Sequence, residues 1–354
     1  MWLADTDYEV APEIKETIMK TVQEEDLHYD YDPELVNLMV EKVNKINRIP
    51  VEPNGIYIMQ GVTPTMWLAC QYACNPGDEA ILTDPMYPPF FNAVEHAGAK
   101  KVYWPLMEKD EYKFDIERLK ELITPRTRMI FICNPHNPTG RVMTKEELSA
   151  IADLAVDHDL LIMSDELWED IIYEGHAHLS IASLGSEISN RTITAFGFSK
   201  SYNISGLQVG YAATTNVDMM HKMKIMTSGI FRGTTNISNA VAKTILSGKV
   251  SSYLKAELRY LHQTLEYALK RMGGLEGVKC NKIEGTYLLF PNVTAFRKTS
   301  EELVAQLLYK YRVGVTDGSF FGTNGRGHIR LNIATSLNIL QEAFDRIEKV
   351  LKKP

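Results

Sequence analysis

The chain has 354 residues, of which 45% are hydrophobic, and a formal net charge of −7, so it is long enough for a large core and two domains and gives nucleic acid or an anionic membrane no electrostatic reason to bind. Its apolar stretches are of strand length and no signal peptide opens it, since Asp5 and Asp7 fall among the first residues; a cytoplasmic chain without a membrane partner is expected. Its four cysteines, Cys70, Cys74, Cys133 and Cys280, lack paired metal spacing and read as reduced thiols, with no metal expected.

Pro12 to Glu25 and Pro33 to Ile46 read as amphipathic helices. Ile56 to Gln60 reads as a strand; Gly61, Val62, Thr63 and Pro64 follow, and Thr65 to Tyr72 reads as a helix with Pro64 in its first turn. Backbone N–H groups at such a helix start form an anion site. Glu79 to Thr83 and Lys101 to Trp104 are strand candidates, with Tyr87 in a proline-rich turn between them. The apolar run Met129 to Cys133 stops at Asn134-Pro135-His136-Asn137-Pro138-Thr139-Gly140, a tight-turn sequence. Thr144 and Glu147 form a capping box that opens a helix to about His158. A second run, Leu160 to Met163, stops at Ser164-Asp165-Glu166, and Thr192 to Phe198 leads into Ser199-Lys200. Val209 to Thr214 is the next strand candidate. A domain boundary is placed near Ser247 to Ser251, before a long helix from Ser252 to Met272 and a C-terminal α+β part, in which Gly327 to Ala334 alternates like a strand around Arg330.

Apolar runs alternating with helices read as parallel strands, whose carboxyl ends carry the sites of such sheets. Asn137, Asp165 and Lys200 fall there. Lys200, set between the apolar runs Thr192 to Phe198 and Ile204 to Ala213, either reaches water at a loop tip or is buried. A buried lysine needs a depressed pKa, a partner, or a covalent bond such as a Schiff base to an aldehyde cofactor. Arg330 among apolar residues has a carboxylate to grip, that of a substrate or of an internal Asp or Glu. His176 and His178 share one face of an extended segment; with no third ligand apparent nearby, they read as structural.

The order and spacing of Asn137, Asp165 and Lys200 resemble the class I and II aminotransferases, fold-type I enzymes dependent on pyridoxal phosphate (PLP), and the resemblance covers nearly the whole chain. It implies an α/β fold: a large domain with a mostly parallel seven-stranded sheet between helices (residues 29–247) and a smaller α+β domain (residues 1–28 and 248–354). It implies that Lys200 forms the Schiff base and Asp165 keeps the pyridine nitrogen protonated. Asn137 serves the phenolic oxygen, Gly61, Val62, Thr63 and Ser199 the phosphate, Tyr87 stacks on the ring, and Arg330 holds the substrate carboxylate. It further implies a homodimer in which Tyr29, or its close rival Tyr31, reaches the partner's phosphate, with an amino acid and a 2-oxo acid as small-molecule partners.

Departures bear on the reaction. Gln208 stands where many aminotransferases have an arginine closing on the phosphate, and Trp168, an indole N–H donor only, where many have a tyrosine that bonds the phenolic oxygen. The segment Glu169 to Leu184 is similar to the carbon–sulfur lyase branch, which includes cystathionine β-lyases and cystalysin-like enzymes. Gln208 fits that branch, which commonly has histidine in place of Trp168. Gly285 to Asn292 and Ala334-Thr335-Ser336 look more like aminotransferases. Lyase-branch members carry a further segment ahead of Trp2 to Asp7, so pocket closure is expected to differ. Transamination is the expected reaction, with the freed Lys200 as general base and carbon–sulfur β-elimination as the alternative. A protein that kept the fold but lost catalysis is disfavoured by intact Lys200, Asp165 and Arg330; a nucleotide-binding enzyme is disfavoured by the lack of a Gly-x-Gly-x-x-Gly or Walker-type loop.

Overall fold

A strand covered by helices on both faces has no solvent side, so it is apolar at nearly every position. The inner strands of the main sheet are of this kind, and seven strands form it: β1 (Ile56–Met59), β2 (Glu79–Asp84), β3 (Lys100–Pro105), β4 (Thr127–Cys133), β5 (Leu161–Asp165), β6 (Thr192–Gly197) and β7 (Gly210–Ala213), in the order β1-β7-β6-β5-β4-β2-β3, with β3 at a partly exposed edge. β2 to β6 run parallel, and β7 pairs antiparallel with both β6 and β1. The computed structural model describes residues 1–28, 32–231, 233–296 and 298–351.

Alternation along the buried strands divides the core into two layers. Met129, Phe131 and Met163 face one side with Met66, Phe90 and Met220, from the helices Thr63–Ala73, Pro88–His96 and Val217–Met226. Ile130, Ile132 and Ile162 face the other with Leu119, Leu148 and Ile151, from Ile116–Leu122 and Lys145–Asp157. The predicted capping box is present, with reciprocal Thr144 and Glu147 contacts. The helix after Gly61 begins at Thr63, so Thr63 and Pro64 both lie in its first turn. The helix expected to run to Ile46 is α-helical only over Pro33–Lys42; a π turn, Val43–Asn47, follows. The Asn44 amide there binds both the N–H and C=O of Val51, which turns the chain toward β1.

After the long helix Ser251–Gly273 the chain forms a three-stranded antiparallel sheet of β8 (Leu288–Leu289), β9 (Thr316–Asp317) and β10 (Ile329–Asn332), ordered β8-β10-β9. It packs with the helices Ser300–Tyr311 and Leu337–Val350 around Leu307, Leu331, Phe344 and Ile347. The N-terminal stretch touches both parts. Met1 to Asp7 lies beside β10, with Asn332 N–H donating to Met1 C=O at 3.0 Å and Asp7 N–H to Ala334 C=O at 2.9 Å. The following helix, Pro12–Gln23, packs through Ile14 with Val241, Ala242 and Ile245 of the helix Asn236–Leu246.

Phe131 is fully buried and meets Phe90 edge-on at 5.2 Å. Phe131→Ala is expected to cost about 3–5 kcal/mol, read as a lowered midpoint in chemical denaturation.

Candidate active site

The carboxyl ends of β4, β5 and β6 open onto a cavity of about 420 Å³. Its lining includes Gly61, Val62, Thr63, Tyr87, Asn137, Asp165, Trp168, Ser199, Lys200 and Arg330. The structure thus brings together every sequence-predicted site residue within the described segments; Tyr29 and Tyr31 lie outside them. Gln208 also lines the cavity, as do Leu3, Ala4 and Asp5.

Local geometry follows from the sequence. Gly61 has φ = 84°, and a Cβ there would meet nothing within 4 Å; the turn is left-handed and leaves the start of the Thr63 helix open. Gly210 backs this turn from β7: a Cβ on it would lie 2.8 Å from Phe196 O and 3.0 Å from the Gly61 carbonyl carbon. Two glycines therefore let the anion loop rest directly on the sheet. On β5, Asp165 is 3% exposed and accepts a 3.0 Å bond from Leu167 N–H. Burial pushes its carboxyl up to about 7, against the pull of the Leu167 amide and with a contribution from Glu166.

Arg330, on β10, donates from Nη1 to Asn137 Oδ1 at 3.1 Å and from Nη2 to Trp2 C=O at 3.2 Å, above the Phe321 ring at 4.8 Å. Its Nε is buried without a partner. Among the described residues no carboxylate pairs with this guanidinium, so the internal ion pair considered from sequence is not formed. Burial lowers its pKa to about 10, which keeps it cationic at neutral pH. Because Asn137 spends Oδ1 on Arg330, its Nδ2 donor is left for the cavity. Lys200 Nζ donates to Ala4 C=O at 2.6 Å and lies 3.3 Å from Asp5 Oδ1. Burial lowers its pKa, Asp5 opposing and Arg330 reinforcing the shift. Trp168 stands 5.9 Å from Nζ and meets Tyr287 edge-on at 4.7 Å.

These groups fit PLP: a desolvated carboxylate without a fixed cation suits a protonated ring nitrogen, Lys200 suits an aldehyde, and the glycine turn at a helix start suits a phosphate.

Sequence reasoning missed the N-terminal lining, because Asp5 reaches Lys200 only through the path of the folded chain. It also missed the companions of His178. Glu166 accepts from Ser164, Ser180 and His178 at 2.8–2.9 Å, and Glu169 binds Lys42 and Asn47. Glu166, Glu169 and His178 thus converge, which corrects the expectation of no third group near that histidine, while His176 turns away toward Glu284 at 3.9 Å. Lys42 and the hydroxyl groups already match these carboxylates, so the cluster reads as structural.

Residues 4–347 match the family model described as aminotransferase class I and II. The chain belongs to this family. It is 34% identical to an aspartate aminotransferase of Bacillus sp. strain YM-2 over 90% of its own length and 82% of the relative's. It is 30% identical to a cystathionine beta-lyase of Bacillus subtilis strain 168 over 99% of its length and 92% of the relative's. Among solved structures, cystalysin of Treponema denticola, which contains pyridoxal 5′-phosphate, superposes with a TM-score of 0.93 at 26% identity, covering 99% of this chain and 91% of that one. As a family member the chain is a PLP-dependent aminotransferase of fold type I, the class whose substrates are amino acids and 2-oxo acids.

Asp165 supplies a signed test. Its folded carboxyl, near 7, lies above the ordinary 3.8, so in the cofactor-free protein its burial costs nothing below about 3.8 and destabilises increasingly as pH rises to about 7. Asp165→Asn removes that cost. Its stability relative to the parent is expected to grow across that window and level off above it, as measured by denaturation at successive pH values.

Proposed function

We propose that this cavity holds PLP through the residues named below and exchanges the amino group of an L-amino acid with that of a 2-oxo acid. The observation that carries the reading is that a desolvated amine, a desolvated carboxyl and a guanidinium without a carboxylate partner surround one cavity. When bound, the cofactor supplies an aldehyde that captures amines and a pyridinium that draws electrons from the bonds at Cα.

The protein's own part is positioning and proton handling. Asp165 holds a proton at the ring nitrogen, favouring its charged form. The N–H groups of Gly61, Val62 and Thr63 and the Ser199 hydroxyl receive the phosphate, with Gln208 beside them in place of an arginine. Tyr87 provides an aromatic face. Asn137 Nδ2 and the Trp168 indole N–H are the donors for the phenolic oxygen. Arg330 takes the substrate α-carboxylate as a two-pronged donor, which fixes Cα relative to Lys200. Burial leaves a larger neutral fraction of the Lys200 amine than an exposed lysine has, so it accepts the Cα proton as general base and can redeliver it from the same position.

We further propose a homodimer completed by Tyr29 or Tyr31 of the second chain, and a cytoplasmic location; among the described residues no helix is long and apolar enough to cross a membrane. β-Elimination from a sulfur-containing amino acid is the second reading, favoured by Gln208 at the cavity and by the lyase among the relatives.

Absorbance spectra separate the two. Transamination converts the cofactor to its amine form with an amino acid and back with a 2-oxo acid; elimination from L-cystathionine releases pyruvate, ammonia and a thiol with the aldehyde retained. In either case Lys200→Ala is expected to lose the borohydride-sensitive band. Hydrogen bonds to charged groups contribute about 1.5–3 kcal/mol each, so Arg330→Gln is expected to lower kcat/KM about 100-fold or more, as measured with amino-acid substrates in steady-state kinetics.

A further inference from the structure

We propose that Asp5 is a positioning residue for the Lys200 amine, the carboxylate that matches the lysine's charge once it has taken the substrate proton. This rests on the reading of Lys200 as the cofactor-linked lysine and general base.

The side chain of Asp5 is partly exposed, and a carboxylate near the end of a chain would ordinarily be a weak surface partner. Its backbone is what sets it apart. The carbonyl groups of Met1 through Asp5 are all held: Met1 by Asn332 N–H at 3.0 Å, Trp2 by Arg330 at 3.2 Å, Leu3 by Asn332 Nδ2 at 2.7 Å, Ala4 by the Tyr287 hydroxyl at 3.0 Å, and Asp5 by Asn332 Nδ2 at 2.5 Å. Two of the three anchoring residues, Arg330 and Asn332, belong to β10, the strand that presents the candidate carboxylate-binding arginine. The segment therefore carries Asp5 to a fixed place 3.3 Å from Nζ.

Charge accounting then assigns the role. The groups facing Lys200 are Asp5 from the N-terminal segment, Asp165 from β5 and Arg330 from β10, with Tyr287 sharing the Ala4 carbonyl. Asp165 is committed to the ring nitrogen, and Arg330 is a cation that opposes a second positive charge. In the proton transfer the Cα–H bond breaks, its electron pair stays with the substrate, and an N–H bond forms on Nζ. The new ammonium finds Ala4 C=O and Asp5 Oδ1 already within reach, and Asp5 itself takes no proton. The two acceptors also aim the amine before the transfer.

The test is a pH titration of the holoenzyme's borohydride-sensitive absorbance band in the parent, Asp5→Asn and Asp5→Glu. A carboxylate this close stabilises the protonated nitrogen, so removing its charge lowers the midpoint; a shift of about one pH unit or more is expected for Asp5→Asn, with the acidic limb of kcat moving the same way. Asp5→Glu is expected to restore the midpoint in large part. Equal midpoints in the parent and Asp5→Asn, with cofactor content and thermal stability unchanged, would overturn the role of Asp5 alone. Absence of the band from the parent itself would overturn the reading of Lys200, and this inference with it. Should Asp5→Asn fail to fold, the comparison is made with Asp5→Ser, for which the same lowered midpoint is expected and an unshifted one counts against the proposal.

Discussion

Everything at this site depends on keeping titratable groups out of water without pairing them off. An isolated buried charge is expensive, and a protein normally answers by pairing it. Asp165, Lys200 and Arg330 are each buried or nearly so, yet none is paired in the strong sense: Asp165 accepts one backbone N–H, Lys200 leans on a carbonyl and a half-exposed carboxylate, and Arg330 spends its N–H groups on an amide oxygen and a carbonyl. The unspent capacity of all three points into one cavity. That is the condition in which a ligand with a cationic ring nitrogen, an electrophilic carbon and an attached carboxylate-bearing substrate gains most from binding.

The contrast lies one layer behind. Lys42 is largely buried, stands over the Phe196 ring at 4.1 Å and is paired with Glu169; the Glu166 carboxylate is surrounded by two serines and His178. Glu166 and Glu169 flank Leu167 and Trp168, immediately after Asp165. These satisfied charges tie the end of β5 to the helix Pro33–Lys42 and to the segment around Ser180, so the backbone that presents Asp165 is braced from behind. A fully paired network rigidifies, while a partly paired one remains available to a ligand. The chain uses both kinds within a few residues of each other.

Much of this was legible in the sequence, for identifiable reasons. The strands were readable because burial on both faces leaves continuous apolar runs, and their ends because polar residues such as Asn134 and Ser164 interrupt those runs abruptly. Lys200 stood out because lysine between two apolar strands is costly unless it has a purpose. The antiparallel insertion of β7 was not readable, since four buried residues have the same pattern in either direction. Nor was the π turn after Lys42, which depends on Asn44 reaching Val51. Asp5 was invisible for a different reason: its importance comes from hydrogen bonds to Asn332 and Tyr287, and no local pattern near the first residues encodes contacts with the far end of the chain.

Among the described residues, β1 is joined to the sheet only through β7, pairing Ile56 with Ala213 and Met59 with Gly210. The turn at Gly61 therefore rests on a strand encoded some way beyond Lys200, and Arg330 and Asn332 arrive later still to fasten Met1 through Asp5. On a ribosome, where the N-terminal part emerges first, the stretch that becomes the anion loop must wait unpaired, a sheet edge without its neighbour, until β7 has been made. The binding pocket thus cannot be complete until Arg330 and Asn332 have been made, and a complete pocket requires contacts between the two ends of the chain.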